Sequence, residues 1–187
     1  MKKIIIFCGL MILTPLASVA HPKAVVLLRH AEEPTSDDPH LSTEGYNRAK
    51  MLPTLFKTHP ALKTLGIPVA LFAAGAKKAN NSVRSIETLH NLSLDIQVPV
   101  NDEFNRDDFR ALTDEINSNK IYEGKVVVVV WQHKILREIA EKLGVKNAPP
   151  YPPGKYDRIW LITYLGTSGK IFFQDLPQNL MPGDSLK

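Results

Sequence analysis

Val25-Val26-Leu27-Leu28-Arg29-His30-Ala31-Glu32-Glu33-Pro34 is an aliphatic run that ends abruptly in an arginine, a histidine and two carboxylates. Consecutive β-branched and aliphatic residues suit a strand covered on both faces, as in the middle of a parallel sheet. Arg29 and His30 then emerge at its carboxyl end, the edge of an open α/β sheet where ligands bind. A histidine there can attack a phosphoryl group while the adjacent guanidinium grips its oxygens by paired hydrogen bonds. Charged residues after a strand are, on their own, more often a solvated loop. The meaning of this stretch therefore depends on what other strands bring to the same edge.

The strongest such strand is Val126 to Trp131, five valines and a tryptophan leading into Gln132-His133. Its composition also demands a site covered on both faces. Two central strands thus each deliver a histidine. Between and around them, strand-like and helix-like stretches alternate. A helix is expected from about Thr43 to Lys57, capped by Ser42 or Thr43, with Glu44 in its first turn and Ala49, Leu52 and Phe56 inward. Pro53 should kink it or start a second short helix. A strand follows at Val69 to Ala73, then the polar stretch Gly75 to Asn81 and a helix from about Ser82 to Leu92. Ile96 to Val100 reads as a short strand, Asn101 to Asp108 as an acidic loop, and 107–119 as a helix burying Phe109, Leu112 and Ile116. After the valine strand come a helix near Ile135 to Leu143 that stops at Gly144, a proline-rich loop from Ala148 to Lys155, and a strand from Arg158 to Tyr164. The turn Gly166 to Gly169 joins it to Lys170 to Phe173 as an antiparallel hairpin. The tail beyond Pro177 is expected to be loosely held. The alternation predicts an α/β fold, a three-layer αβα sandwich around a mostly parallel sheet.

Met1 to Ala20 has Lys2 and Lys3, an apolar segment from Ile4 to about Leu16, and small residues at Ser18-Val19-Ala20, the pattern of a secretory signal peptide. The apolar run is short of the roughly 20 residues a membrane span needs, so no stable membrane insertion is expected after cleavage. Cys8 lies inside the leader, and the mature chain from His21 has no cysteine for disulfides or thiolate metal sites. Export to the periplasm or medium follows as the expectation. The mature chain, 21–187, suits a single domain. Its formal charge, +4 less the two leader lysines, is unremarkable. With no basic run interleaved with aromatics there is no case for nucleic acid.

Arg84, in Ser82-Val83-Arg84-Ser85-Ile86-Glu87-Thr88, falls in the first turn of a helix that follows another strand. A surface arginine paired with Glu87 or Glu44 is the plain reading. Yet helix amino termini favour anions, and an arginine there could complete a phosphate cradle with Arg29, His30 and His133. With these elements in order the chain resembles the histidine phosphatase superfamily, the phosphoglycerate mutase-like fold. Arg29-His30-Ala31-Glu32 is similar to its Arg-His-Gly signature. Leu41-Ser42-Thr43-Glu44-Gly45 with Arg48-Ala49 is similar to its Leu-Thr-x-x-Gly-x-x-Gln-Ala helix start. Arg84 to Thr88 resembles its Arg-x-x-Gln/Glu-Thr element, and Val128 to His133 the strand that delivers its second histidine.

The resemblance implies a phosphoryl transfer in which His30 is the nucleophile and Arg29, Arg84 and His133 bind the oxygens, with no metal or organic cofactor and a small phosphorylated substrate. Two positions depart from the acid phosphatase and phytase branch: Glu33 stands where it has a second arginine, and Lys134 where it has an aspartate. The mutase branch's acidic proton donor has no clean copy. Glu103 is the preferred candidate, with Asp102 beside it and Glu32 as a further one; compact phosphohistidine phosphatases manage without such an acid. The expected activity is a phosphomonoester hydrolase, against a protein phosphohistidine phosphatase or a non-catalytic binder of phospho-ligands. A mutase is disfavoured, since phosphorylated glycolytic intermediates would be scarce outside the cell. Thr35 to His40, Gly75 to Asn81, Asn101 to Asp108 and Ala148 to Lys155 should wall the pocket, with Lys77, Lys78 and Lys134 available at its mouth. Substrate identity and oligomeric state are not legible.

Overall fold

The computed structural model describes residues 21–76, 82–166 and 170–186. Residues 1–20, where the leader is expected, residues 77–81 with Lys77 and Lys78, residues 167–169 of the expected turn, and residue 187 lie outside the described residues. Six strands are present: β1 (Ala24–Arg29), β2 (Ala70–Ala73), β3 (Val100–Asn101), β4 (Val126–Trp131), β5 (Arg158–Leu165) and β6 (Lys170–Pro177). They form one sheet in the order β3-β2-β4-β1-β5-β6. The first four run parallel, β5 is antiparallel to β1, and β5 and β6 make the expected hairpin.

The apolar runs occupy the centre for the reason their composition suggests. No residue of β1 or β4 is more than 3 % exposed, because both faces of the sheet are covered. Val25, Leu27, Val127, Val129 and Trp131 pack toward α3 (Phe109–Ser118) and α4 (His133–Lys142), through Leu112, Ile116, Leu136 and Ile139. Val26, Leu28, Val128 and Val130 face the opposite way, toward Leu52 and Leu55 of α1 (Thr43–Thr58) and Leu89 and Leu92 of α2 (Arg84–Ile96). This period-two division between faces is what makes three layers. At roughly 1.5–3 kcal/mol for each large side chain buried, the two cores outweigh any single polar contact at the sheet edge. The loops there project from a rigid base.

Three expectations are corrected. Helix α1 continues through Pro53, so no second helix starts there; Leu52 and Leu55 on either side are both buried against the sheet, and that packing offsets one lost backbone bond. Helix α2 extends to Ile96, closed by Gln97 in the left-handed conformation with φ 57°, so β3 is only Val100–Asn101. Ile96 continues the helical spacing of Leu89 and Leu92, and its alternation with Val98 and Val100 imitates a strand. The tail after β6 is anchored rather than loose: Gln178 is 3 % exposed, and the Asp184 carboxylate accepts from Arg48 of α1. Among the described residues no helix is long and apolar enough to cross a membrane.

The amino end of α1 is docked tightly on the segment after β1. Ser42 caps the helix, its hydroxyl accepting from the Gly45 N–H, and its own N–H donates to the Glu32 carbonyl at 2.9 Å. A Cβ on Gly45 would lie 2.3 Å from that carbonyl oxygen, where nothing flexible can yield. Gly45→Ala is therefore expected to destabilise the fold by about 1–3 kcal/mol, the usual cost of overpacking. Thermal unfolding checks this, and an unchanged Tm would contradict the close approach.

Candidate active site

The carboxyl ends of β1, β2 and β4 are flush. Arg29 lies opposite Trp131 and Ala73 opposite Val130, and the His30 N–H extends the ladder by donating to the Trp131 carbonyl at 3.0 Å. His30 follows β1 directly, and His133 opens α4 two residues beyond the end of β4, after Gln132. Both histidines thus come from the same sheet edge because both strands are in register.

His30 is 5 % exposed. Its Nδ1 lies 2.8 Å from the Ala31 carbonyl oxygen; a carbonyl only accepts, so Nδ1 carries the proton and the Nε2 lone pair is left for chemistry. Burial lowers its pKa to about 4, with the Ala31 bond and the Glu33 charge opposing and Arg29 and Arg84 adding to the depression. His30 is therefore a neutral imidazole at any ordinary pH. In an NMR titration of the ligand-free protein its ring protons should show a midpoint near 4; a midpoint at the unperturbed value, about 6.5, would contradict the buried, cation-flanked environment. His133 is half-buried and its pKa is also lowered, by burial, Arg29 and Lys134 in turn, against the opposing charge of Glu33.

The two arginines meet on one carboxylate. Arg29 Nη2 donates to Glu33 Oε1 at 3.1 Å, and Arg84 Nη1 donates to Glu33 Oε2 at 2.9 Å. The Tyr156 hydroxyl donates to Glu33 Oε1 at 3.1 Å while accepting from Arg29 Nη2 at 2.9 Å. Its ring lies against the guanidinium, with Arg29 Cζ 3.7 Å from the ring centroid. Arg29 Nη1 is tied to the Lys155 carbonyl at 3.2 Å, whereas its Nε is buried without a hydrogen-bond partner. Burial alone would raise the Glu33 carboxyl pKa, but the Tyr156 hydroxyl, His30 and the two guanidiniums together hold it below its ordinary value.

Arg84 is aimed by its helix and by the loop from Thr35 to His40. Its Nε donates to the His40 carbonyl at 2.9 Å and its Nη2 donates to the Asp38 carbonyl. The Thr88 hydroxyl, one turn on, donates to the Arg84 carbonyl and accepts from the Ala31 N–H at 2.9 Å. Glu87 gathers the same loop, accepting from the Leu41 N–H, the Tyr46 hydroxyl and His40 Nδ1. The spacing Arg-x-x-Glu-Thr thus has a mechanical reason: three residues within one turn lock α2, the 35–40 loop and the segment after β1 together. Arg84 pairs with Glu33, not with Glu87 or Glu44.

Glu32 points elsewhere. Its carboxylate accepts from Arg48 Nε at 2.8 Å, and Arg48 in turn binds Asp184 and Gln178. Glu103 and Asp102 are exposed on the loop after β3, where the Glu103 N–H donates to the Asn101 side chain. Among the described residues Glu103 makes no hydrogen bond to Arg29, His30, Arg84 or His133. Tyr156 is the site residue that sequence reasoning missed; Glu33 entered there only as a departure from the acid phosphatase pattern, and Thr88 only as part of the Arg-x-x-Glu-Thr element. For Glu33 a signal existed, since an acid directly before Pro34 replaces a basic residue. Among the described residues no group of three or more His, Cys, Asp or Glu side chains converges to hold a metal ion.

No protein-family profile and no curated protein sequence matches the chain. Solved structures do. A phosphoglycerate mutase from Plasmodium falciparum is similar at TM-score 0.56 and 12 % identity, over 89 % of this chain and 98 % of that one. A protein assigned as the phosphohistidine phosphatase SixA of Agrobacterium tumefaciens is similar at TM-score 0.52 and 15 % identity, over 83 % and 97 %. A protein assigned as an α-ribazole-5'-P phosphatase of Escherichia coli K-12 is similar at TM-score 0.50 and 15 % identity, over 84 % and 97 %. The fold is the phosphoglycerate mutase-like fold that these structures share.

Proposed function

We propose that this chain is a metal-independent phosphomonoester hydrolase working through a phosphohistidine on His30. One observation carries the reading: a buried, neutral imidazole with its Nε2 lone pair unused sits beside two guanidiniums that converge on a single anion. In the first step Nε2 attacks phosphorus and the bond from phosphorus to the ester oxygen breaks. In the second, water attacks the phosphohistidine, the P–N bond breaks, and inorganic phosphate leaves. Arg29 and Arg84 neutralise the charge on the transferring group, and His133 donates to it from the start of α4, so that positioning and electrostatics supply most of the acceleration. Glu103 protonates the leaving oxygen in this reading, with Asp102 as its neighbouring alternative; a good leaving group needs neither. The substrate is a small phosphorylated compound, and the leader carries the enzyme to the periplasm or medium.

The test is phosphate release from a chromogenic phosphomonoester by the purified protein in the presence of a chelator. Sustained release is the expected result. Anion binding without any release would make the chain a phosphate-binding protein instead.

A further inference from the structure

The carboxylate in the clamp is the chain's own. Glu33 holds both guanidiniums that the proposed reaction needs for its phosphoryl oxygens, and the Tyr156 hydroxyl adds a third bond to it. A dianion arriving between Arg29 and Arg84 meets a resident negative charge on the same donors. The two cannot share them without repulsion. We propose that Glu33 is a built-in competitor for the phosphoryl site, which the ligand's phosphoryl group displaces from both arginines and which takes up a proton as it is displaced. The inference rests on the phosphoryl-binding reading of the cradle, though not on turnover.

The groups facing Glu33 show why the proton follows. Arg29 and His30 face it from the end of β1, Arg84 from α2, Tyr156 from the loop before β5, and the charge of Glu33 is felt at His133 on α4. With the clamp closed on Glu33, the two guanidiniums and the tyrosine hydroxyl favour its charged form. Once an anion takes those donors, Glu33 keeps its partial burial and gains a like charge beside it, and both favour the protonated acid. The balance is one proton from solvent for each carboxylate displaced. In reverse, a returning Glu33 carboxylate helps to eject product phosphate. Glu33 has a 37 % exposed side chain, so it can leave the two guanidiniums without disturbing the core.

Sulfate is the probe, since it is a tetrahedral dianion whose charge does not change between weak acid and weak base. Its binding is measured by calorimetry at several pH values, in buffers of different ionisation heat, on the wild type and on Glu33→Gln. Wild-type affinity should rise as pH falls, with net proton uptake. Glu33→Gln should bind about ten- to a hundredfold tighter at pH 8, the factor for a charge-assisted hydrogen bond that no longer has to be broken, and take up fewer protons. Glu33→Asp, whose carboxylate is one methylene short of bridging both arginines, should gain part of that affinity; it serves as the test if the glutamine variant does not fold. Equal affinity and equal proton uptake in wild type and variant would overturn the proposal. So would the absence of sulfate binding in both. Tighter binding by Glu33→Gln in a protein without phosphatase turnover would leave Glu33's role standing and remove the hydrolase reading.

Discussion

His30→Ala is expected to lower kcat toward a phosphomonoester by at least about four orders of magnitude, as loss of a covalent nucleophile does, while leaving sulfate binding measurable. The distinction follows from geometry. Removing one charge-stabilising donor costs about 10²–10³ in rate, and in the proposed reaction Arg29, Arg84 and His133 are each such donors. His30 alone has a buried ring with its Nδ1 proton committed to the Ala31 carbonyl and its Nε2 unused. The substitution also removes no charge at neutral pH, because the His30 pKa is lowered to about 4, and it leaves the hydrogen bonds of Arg29, Arg84 and Tyr156 to Glu33 in place. Kinetics with a chromogenic ester, alongside sulfate titration, check both halves. Residual turnover within tenfold of wild type would assign the nucleophile elsewhere.

The second large effect lies behind the site. Arg48→Ala should destabilise the fold by about 3 kcal/mol at neutral pH, at the lower end of the range for breaking a buried ion pair by removing one partner. Arg48 is 5 % exposed and bridges Glu32, the Asp184 carboxylate and Gln178; without it two nearly buried carboxylates face each other. The lower end applies because a cavity of about 310 Å³, lined by Glu32, Arg48, Asp157 and Asp184, lets water reach the network. The pH dependence has a definite sign. Burial would raise the Asp184 pKa, but the Arg48 bond and the Met181 and Leu180 N–H groups hold it below its usual value. That contribution is present above the unfolded carboxyl pKa and lost as pH falls through the lower folded one. The stability gap between wild type and variant should therefore be widest at neutral pH and close below about pH 4. Denaturant unfolding at several pH values measures it; a gap independent of pH would contradict the ion-pair account.

These two sites differ in how far the chain announces them. β1 and β4 were legible because strands covered on both faces must be apolar throughout, and His30 and His133 because they follow such strands at fixed short offsets. Arg84 was legible as a cation in a first helical turn. Its true partner was not, since Glu33 and Arg84 are joined only when α2 docks against the segment after β1. Tyr156 and Asp184 reach Arg29 and Arg48 from residues more than a hundred positions away, and no periodicity encodes such a contact. The error at β3 has a local cause: Ile96, Val98 and Val100 satisfy a strand's alternation, while Ile96 also satisfies the helix spacing of Leu89 and Leu92. The helix won because that face packs on the sheet. Pro53 was overridden in the same way, by burial on both sides of it.

The most direct test of the phosphohistidine account is to mix the protein with a fast-leaving phosphomonoester, quench at alkaline pH within one turnover, and locate any phosphoryl group by peptide mass spectrometry. The account predicts one phosphoryl group on the peptide that contains His30, gone when the reaction is chased to completion and never formed in His30→Ala. Phosphate released at the wild-type rate with no phosphorylated His30 at any time, or with the phosphoryl group on another residue, would contradict it.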